Sequence, residues 1–282
     1  MTASIPPDTN PNKPPSPAGS GSGSDGHQRP VLILLHGTRM NTGQWATYPA
    51  ILGDLVEVVA PDLAGHGHRE GETFSVAKTM AEIDALIAAH PGRAIILGGY
   101  SMGGYLALHY AEHAPEKLAG LVLIGAATEP GGLKSWLCRR VADAWEAAGL
   151  AGMRWIDRIG FAPICDERLW RAIQQRGGQF RQVRQAWDDV MQGCSAQQLT
   201  ALHCPVLIMS GRFDPLHWQA EHFAEATGQA EVMTVPHRTH FWPLRKPDEV
   251  AWAIRAWLEG LASRQPDGVH HDGVDHARNQ LQ

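Results

Sequence analysis

The run Gly99-Tyr100-Ser101-Met102-Gly103 sets a serine between two glycines, and Gly104 follows. A serine hydroxyl is a weak nucleophile. To attack a carbonyl it needs a base, and the oxyanion it creates needs two hydrogen-bond donors. The run follows an apolar stretch, Ala94 to Gly98, and opens a segment through Leu106 and Leu108, so Ser101 is expected on a tight strand-to-helix turn. Such a turn strains its central residue and packs helix close to strand, which calls for small neighbours. The amide of Met102, first in that helix, is the natural first donor. The second donor is expected from a loop after a neighbouring strand. His36-Gly37-Thr38-Arg39 follows the apolar run Val31 to Leu35, which makes the Thr38 amide the candidate. The ring of His36 is read as bracing this loop rather than moving protons.

Those residues need a scaffold, and the apolar patterning describes one. Val31 to Leu35, Leu55 to Ala60, Ala94 to Gly98, Leu118 to Gly125, Val206 to Ser210 and Glu231 to Val235 are short runs, mostly apolar on both faces. Strands buried on two sides belong to a parallel sheet. Between them, Ser75 to His90 carries Val76, Met80, Ile83 and Ile87 at helical spacing, with Ser75 as N-cap and Pro91 beyond the end. Met102 to His113 and Asp248 to Leu261 follow the same pattern. Alternating strand and helix predicts an α/β fold, a doubly wound and mostly parallel sheet with right-handed crossovers.

The alternation stops between about Ala127 and Ala201. This stretch shows no convincing strand and holds Trp136, Trp145, Trp155, Trp170 and Trp187, five of the 10 tryptophans. It is expected to form a helical cap over the carboxyl ends of the strands, with most of these rings packing the cap on itself. The expected organisation is therefore a core of residues 30–126 and 202–261, a cap of residues 127–201, and polar tails at 1–29 and 262–282. The tails are rich in Pro, Gly, Ser and Asn and lack the apolar groups that would offset the entropy of ordering. His270, His271 and His276 fall in the second tail and are read as solvated.

The chain has 282 residues, 44% of them apolar, and a formal net charge of −5. No run of Lys or Arg could neutralise a phosphate backbone, so nucleic acid is not an expected partner. No stretch reaches the roughly 18 apolar residues of a membrane span. Without a secretory pattern at the start, the cytoplasm is the expected location. Cys138, Cys165, Cys194 and Cys204 lack metal-ligand spacing and are expected as free thiols.

Five blocks in order, HGTRM at 36–40, PDLAGHGHR at 61–69, GYSMGG at 99–104, GRFDP at 211–215 and PHRTHFWP at 236–243, resemble the α/β-hydrolase superfamily, in particular its small capped esterases, lactonases and carbon–carbon bond hydrolases. The resemblance runs from about Val31 to Leu261. It implies Ser101 as nucleophile, His240 as base and Asp214 as the acid that orients it, with no cofactor and a small molecule as substrate. All three would meet at the carboxyl edge of the sheet, where ligands bind in such folds. His237, three residues before His240, is the rival base. Asp62, His66 and His68 are expected to shape their loop.

The resemblance has two departures. Family members carry an antiparallel strand pair before the strand that leads into the HG loop, and here only the polar tail precedes Val31, leaving a short sheet edge. Arg39 also puts a cation beside the oxyanion loop; with Tyr100 it is a candidate substrate contact that would suit an anionic group, and a plain surface arginine is the alternative reading. The expected reaction is hydrolysis of a carboxylic ester or lactone. The same three residues would serve a carbon–carbon hydrolase or a cofactor-free perhydrolase, and a non-catalytic ligand receptor on this fold is the alternative of a different class. Oligomeric state leaves no mark in the sequence.

Overall fold

A computed structural model describes residues 28–177 and 182–264. Both expected tails fall almost wholly outside these residues, with His270, His271 and His276 among them.

Six strands, β1 (Val31–Leu35), β2 (Glu57–Val59), β3 (Ile95–Tyr100), β4 (Gly120–Ile124), β5 (Val206–Gly211) and β6 (Ala230–Val235), form one sheet in the order β2-β1-β3-β4-β5-β6. Every neighbouring pair is parallel. Strand β1 shows why the runs are apolar throughout. Its Val31, Ile33 and Leu35 enter one core with Ile83, Leu106 and Phe223, while Leu32 and Leu34 enter the other with Leu52, Trp45 and Ile254. Alternate side chains thus point to opposite faces, and helices cover both.

The helices on the first face are α2 (Val76–Ala88), α3 (Met102–His113) and α8 (Ala220–Thr227); on the second lie α1 (Tyr48–Leu52) and α10 (Pro247–Arg264). Ser75 caps α2 as its sequence position predicts, its hydroxyl accepting from the Lys78 amide at 3.2 Å. Helix α10 runs three residues past the expected boundary at 261. Strand β2 is shorter than Leu55 to Ala60 because it lies at the sheet edge, half-exposed, with a partner on one side only. Among the described residues no antiparallel strand flanks it.

Between β4 and β5 the chain forms α4 (Gly132–Ala147), α5 (Gly149–Ile156), a π-helical turn (Asp157–Phe161), α6 (Glu167–Arg176) and α7 (Val183–Met191), with no strand among the described residues. A short helix α9 (Trp242–Arg245) precedes α10. No helix of the described residues is long and apolar enough to cross a membrane.

The strand order fixes where a ligand can sit. The chain leaves β1 toward β2 and then returns past β1 to β3, so the crevice at the carboxyl ends of β1 and β3 is the topological switch point. The loop from His36 and the turn at Ser101 open into that crevice.

Candidate functional site

Ser101 links β3 to α3 with φ 54° and ψ −117°, a left-handed conformation rare for a residue with a β-carbon. Its amide is tied to the Ile124 carbonyl at 2.8 Å, so the turn is pinned to the next strand. The flanking glycines are required by close approach. A β-carbon at Gly99 would lie 2.2 Å from the Gly103 carbonyl, and one at Gly103 would lie 2.1 Å from the Leu35 carbonyl oxygen. The serine is thereby lifted to the rim of the sheet.

His240, in the loop between β6 and α9, places Nε2 3.0 Å from Ser101 Oγ and Nδ1 2.9 Å from Asp214 Oδ2. A carboxylate only accepts, so Nδ1 carries the ring proton and Nε2 is left to accept from the serine hydroxyl. Asp214 follows β5, its side chain 2% exposed, and its second oxygen accepts from the Leu216 amide at 2.8 Å. Tyr100 stacks on the imidazole and donates its hydroxyl to the His240 carbonyl at 3.0 Å. Burial, and then the charge of Asp214, push the Tyr100 hydroxyl well above its ordinary pKa and keep it a donor. His237 is exposed, with φ 56° and its ring against Phe213, away from this array.

The Met102 amide heads α3, where the helix leaves its first N–H groups unpaired and favours negative charge. Thr38 lies in a turn closed by the Met40 amide on the Gly37 carbonyl at 3.1 Å. Gln44 Oε1 accepts from the Gly37 amide at 3.0 Å and braces the same turn. His36 Nε2 accepts from the Leu63 amide at 3.0 Å, so its proton is on Nδ1, beside the Gly37 carbonyl. Burial lowers the His36 pKa to about 4, and the ring stays neutral as a strut between two loops. Asp62 accepts from the Thr42 and His68 amides at 2.8 and 3.0 Å, which is a loop-shaping arrangement. His66 is buried edge-on to His36, and His68 is exposed.

Above the serine lies a cavity of about 930 Å³. Its walls include Trp136, Trp145, Phe161, Trp187, Phe213 and Phe241, from the helices between β4 and β5 and from the loops after β5 and β6. Arg139 and Asp188, at the cavity, pair with each other at 2.7 Å. Arg39 is not in the wall. Its guanidinium, 2% exposed, forms a two-point pair with Asp157, at 3.1 and 2.5 Å, and faces that carboxylate instead of a substrate. The charge expected to suit a substrate anion is thus directed at Asp157 in this structure. Tyr100 does line the cavity, although its hydroxyl is spent on His240.

The model of the alpha/beta hydrolase family matches residues 32–254. The chain belongs to that family. A pimeloyl-[acyl-carrier protein] methyl ester esterase of Stenotrophomonas maltophilia is 27% identical to this hydrolase over 252 residues, 83% of this chain and 94% of that one. Its counterpart in Aromatoleum aromaticum is 37% identical over 164 residues, 55% of this chain and 60% of that one. Among solved structures, a thermophilic esterase from Thermogutta terrifontis, determined with malate bound, superposes with a TM-score of 0.65 at 26% identity, covering 83% and 91%. MenH from S. aureus shares the fold, with a TM-score of 0.69 at 21% identity and coverage of 83% and 96%.

Several residues that shape the site in this hydrolase carry no sequence signal. Gly125 is one: with φ 58°, a β-carbon there would lie 2.9 Å from Asp214 Oδ2 and 3.1 Å from His240 Nδ1. Asp157 and Trp187 are others, since their partners Arg39 and Thr38 lie more than a hundred positions away. The four cysteines are unpaired, and burial raises the thiol pKa of Cys165 and Cys194 to about 12.

Proposed function

We propose that this hydrolase cleaves a carboxylic ester or lactone whose acyl or alcohol part is apolar, through an acyl-enzyme on Ser101. The reading is carried by one observation: the hydrogen-bonded array Ser101–His240–Asp214 opens onto a cavity walled by aromatic side chains.

Ser101 Oγ attacks the carbonyl carbon as its proton passes to His240 Nε2, with Asp214 stabilising the imidazolium. The amides of Thr38 and Met102 hold the oxyanion, helped by the positive end of α3. Collapse breaks the carbon–oxygen bond, and the leaving alkoxide takes the proton from His240. Water, giving its proton to His240, then attacks the acyl-enzyme, and a second collapse frees the acid and returns the proton to Ser101. No cofactor enters these steps. The helices of 127–201 act as the cap that selects the substrate. The relatives named as methyl ester esterases support an ester over other carbonyl compounds. A ligand receptor would have no use for a proton relay of this length, which argues against that class.

Hydrolysis of esters graded in chain length, of lactones and of a vinylogous diketone tests the reading. Apolar esters or lactones are expected as substrates, with turnover lowered by several orders of magnitude in Ser101→Ala while the fold persists. Cleavage of the diketone alone, or turnover in Ser101→Ala above about a tenth of the parent, would overturn it.

A further inference from the structure

Arg39 occupies the third position of the turn Gly37–Met40 with φ 64°. That position of such a turn is one glycine usually fills, because a β-carbon is strained there. The arginine side chain compensates by reaching the helices between β4 and β5. Its Nε and Nη2 donate to the two oxygens of Asp157, at the head of the π-helical turn, and Nη2 also lies 3.4 Å from the Met153 carbonyl. The guanidinium sits over the Trp145 ring, 5.5 Å from its centroid. Trp145 packs edge-to-face on Trp187, and the Trp187 indole N–H donates to Thr38 Oγ1 at 2.7 Å. These contacts close a circuit that begins and ends on adjacent residues, Thr38 and Arg39, and passes entirely through the cap. One of its two ends, Thr38, carries the amide read above as the second oxyanion donor.

We propose that Asp157 and Trp187 are positioning residues that clamp the Thr38–Arg39 turn, so that the helices between β4 and β5 set the oxyanion geometry as well as the shape of the cavity. The proposal rests on the serine-hydrolase reading above. A two-point guanidinium–carboxylate pair fixes direction as well as distance, and a buried one holds its geometry more tightly than a surface pair. Oxyanion donors act only when aimed at the oxygen's position in the transition state, so a loosened turn slows the chemical step and leaves ground-state binding intact.

The test is the reaction of the purified chain with an alkyl fluorophosphonate, whose phosphoryl oxygen occupies the oxyanion position. Maximal labelling rate and half-saturating concentration are measured separately, with thermal unfolding alongside. Asp157→Asn, Arg39→Gly and Trp187→Phe are each expected to lower the maximal rate about tenfold or more, with half-saturation within about threefold. The double variant Asp157→Asn/Arg39→Gly is expected to be no slower than the worse single one, because both break the same clamp. Arg39→Gly is the sharpest arm: glycine relieves the backbone strain, so if the turn alone mattered it would label as fast as the parent. Parent-like maximal rates in folded variants, or losses confined to half-saturation, would overturn the clamp. Should Asp157→Asn fail to fold, Arg39→Gly and Trp187→Phe carry the same expectation. A parent chain that is not labelled at Ser101 would instead overturn the hydrolase reading, and the clamp with it.

Discussion

The hydroxyl of Tyr100 donates to the main-chain carbonyl of His240 across 3.0 Å, while the two rings stack with centroids 5.1 Å apart. The residue before the serine therefore holds His240 twice, by its ring and by its oxygen. His240 stands in a loop with no strand or helix of its own to fix it, so these contacts, with Asp214, set its orientation.

Tyr100→Phe keeps the stack and removes only the hydrogen bond. A net loss of about 1 kcal/mol in positioning corresponds to roughly a fivefold fall in kcat. KM is expected to change little, since the cavity keeps its wall. Steady-state kinetics on one ester checks both parameters. Parent-like kcat would show that the hydroxyl is not needed to place the base.

Gly125→Ala brings a β-carbon against the Asp214–His240 pair and forces a left-handed conformation on alanine. Turnover is expected to fall at least about a hundredfold, with a loss of about 1–3 kcal/mol in stability from strain. Denaturant unfolding and kcat read the two effects separately. A folded variant with parent-like turnover would mean that the pair tolerates displacement.

Acid stability follows from His36. Its folded pKa, about 4, lies below the ordinary 6.5 because the ring is buried, so the unfolded chain binds the extra proton first. Stability from this group is complete above pH 6.5 and is lost as pH falls toward 4, in total on the order of 3 kcal/mol. His66, also lowered by burial, adds in the same direction. Urea unfolding from pH 7 to 4.5 is expected to show this loss, and a folded His36→Gln chain is expected to show a shallower slope. Equal slopes would assign the acid loss to other groups.

The two acid candidates separate by variant. In Asp214→Asn the amide oxygen can still accept from Leu216, which turns the NH2 toward His240 Nδ1 and favours the wrong imidazole tautomer. Turnover is expected to drop at least about a hundredfold, with a modest change in KM. Asp62→Asn weakens the loop held through Thr42 and His68 and is expected to cost about 1–3 kcal/mol of stability with turnover largely kept. The reverse pattern in folded proteins would move the acid to Asp62.

Much of this was legible because it is local. Glycines packed around Ser101 and a hydroxyl at the head of α2 act within a few residues, and two-sided apolar runs report a buried parallel sheet. The choice of His240 over His237 needed the family pattern, because spacing alone serves both; the structure separates them by turning His237 outward at φ 56°. The pairing of Arg39 was not legible because a sequence shows a charge but not its partner, and Asp157 is 118 positions away. The tryptophans behave differently from one another for the same reason. Trp145 and Trp187 close the circuit to the Thr38–Arg39 turn, whereas Trp136 and Trp155 are more than half exposed, at 56% and 62%.

Intact-mass spectrometry during turnover of an activated apolar ester, quenched in acid, tests the acyl-enzyme most directly. The account predicts one acyl group per chain, mapped to Ser101 by peptide digestion and absent in Ser101→Ala. Hydrolysis without any covalent adduct in a chain that still turns over as Ser101→Ala, or an acyl group mapped to another residue, would contradict it.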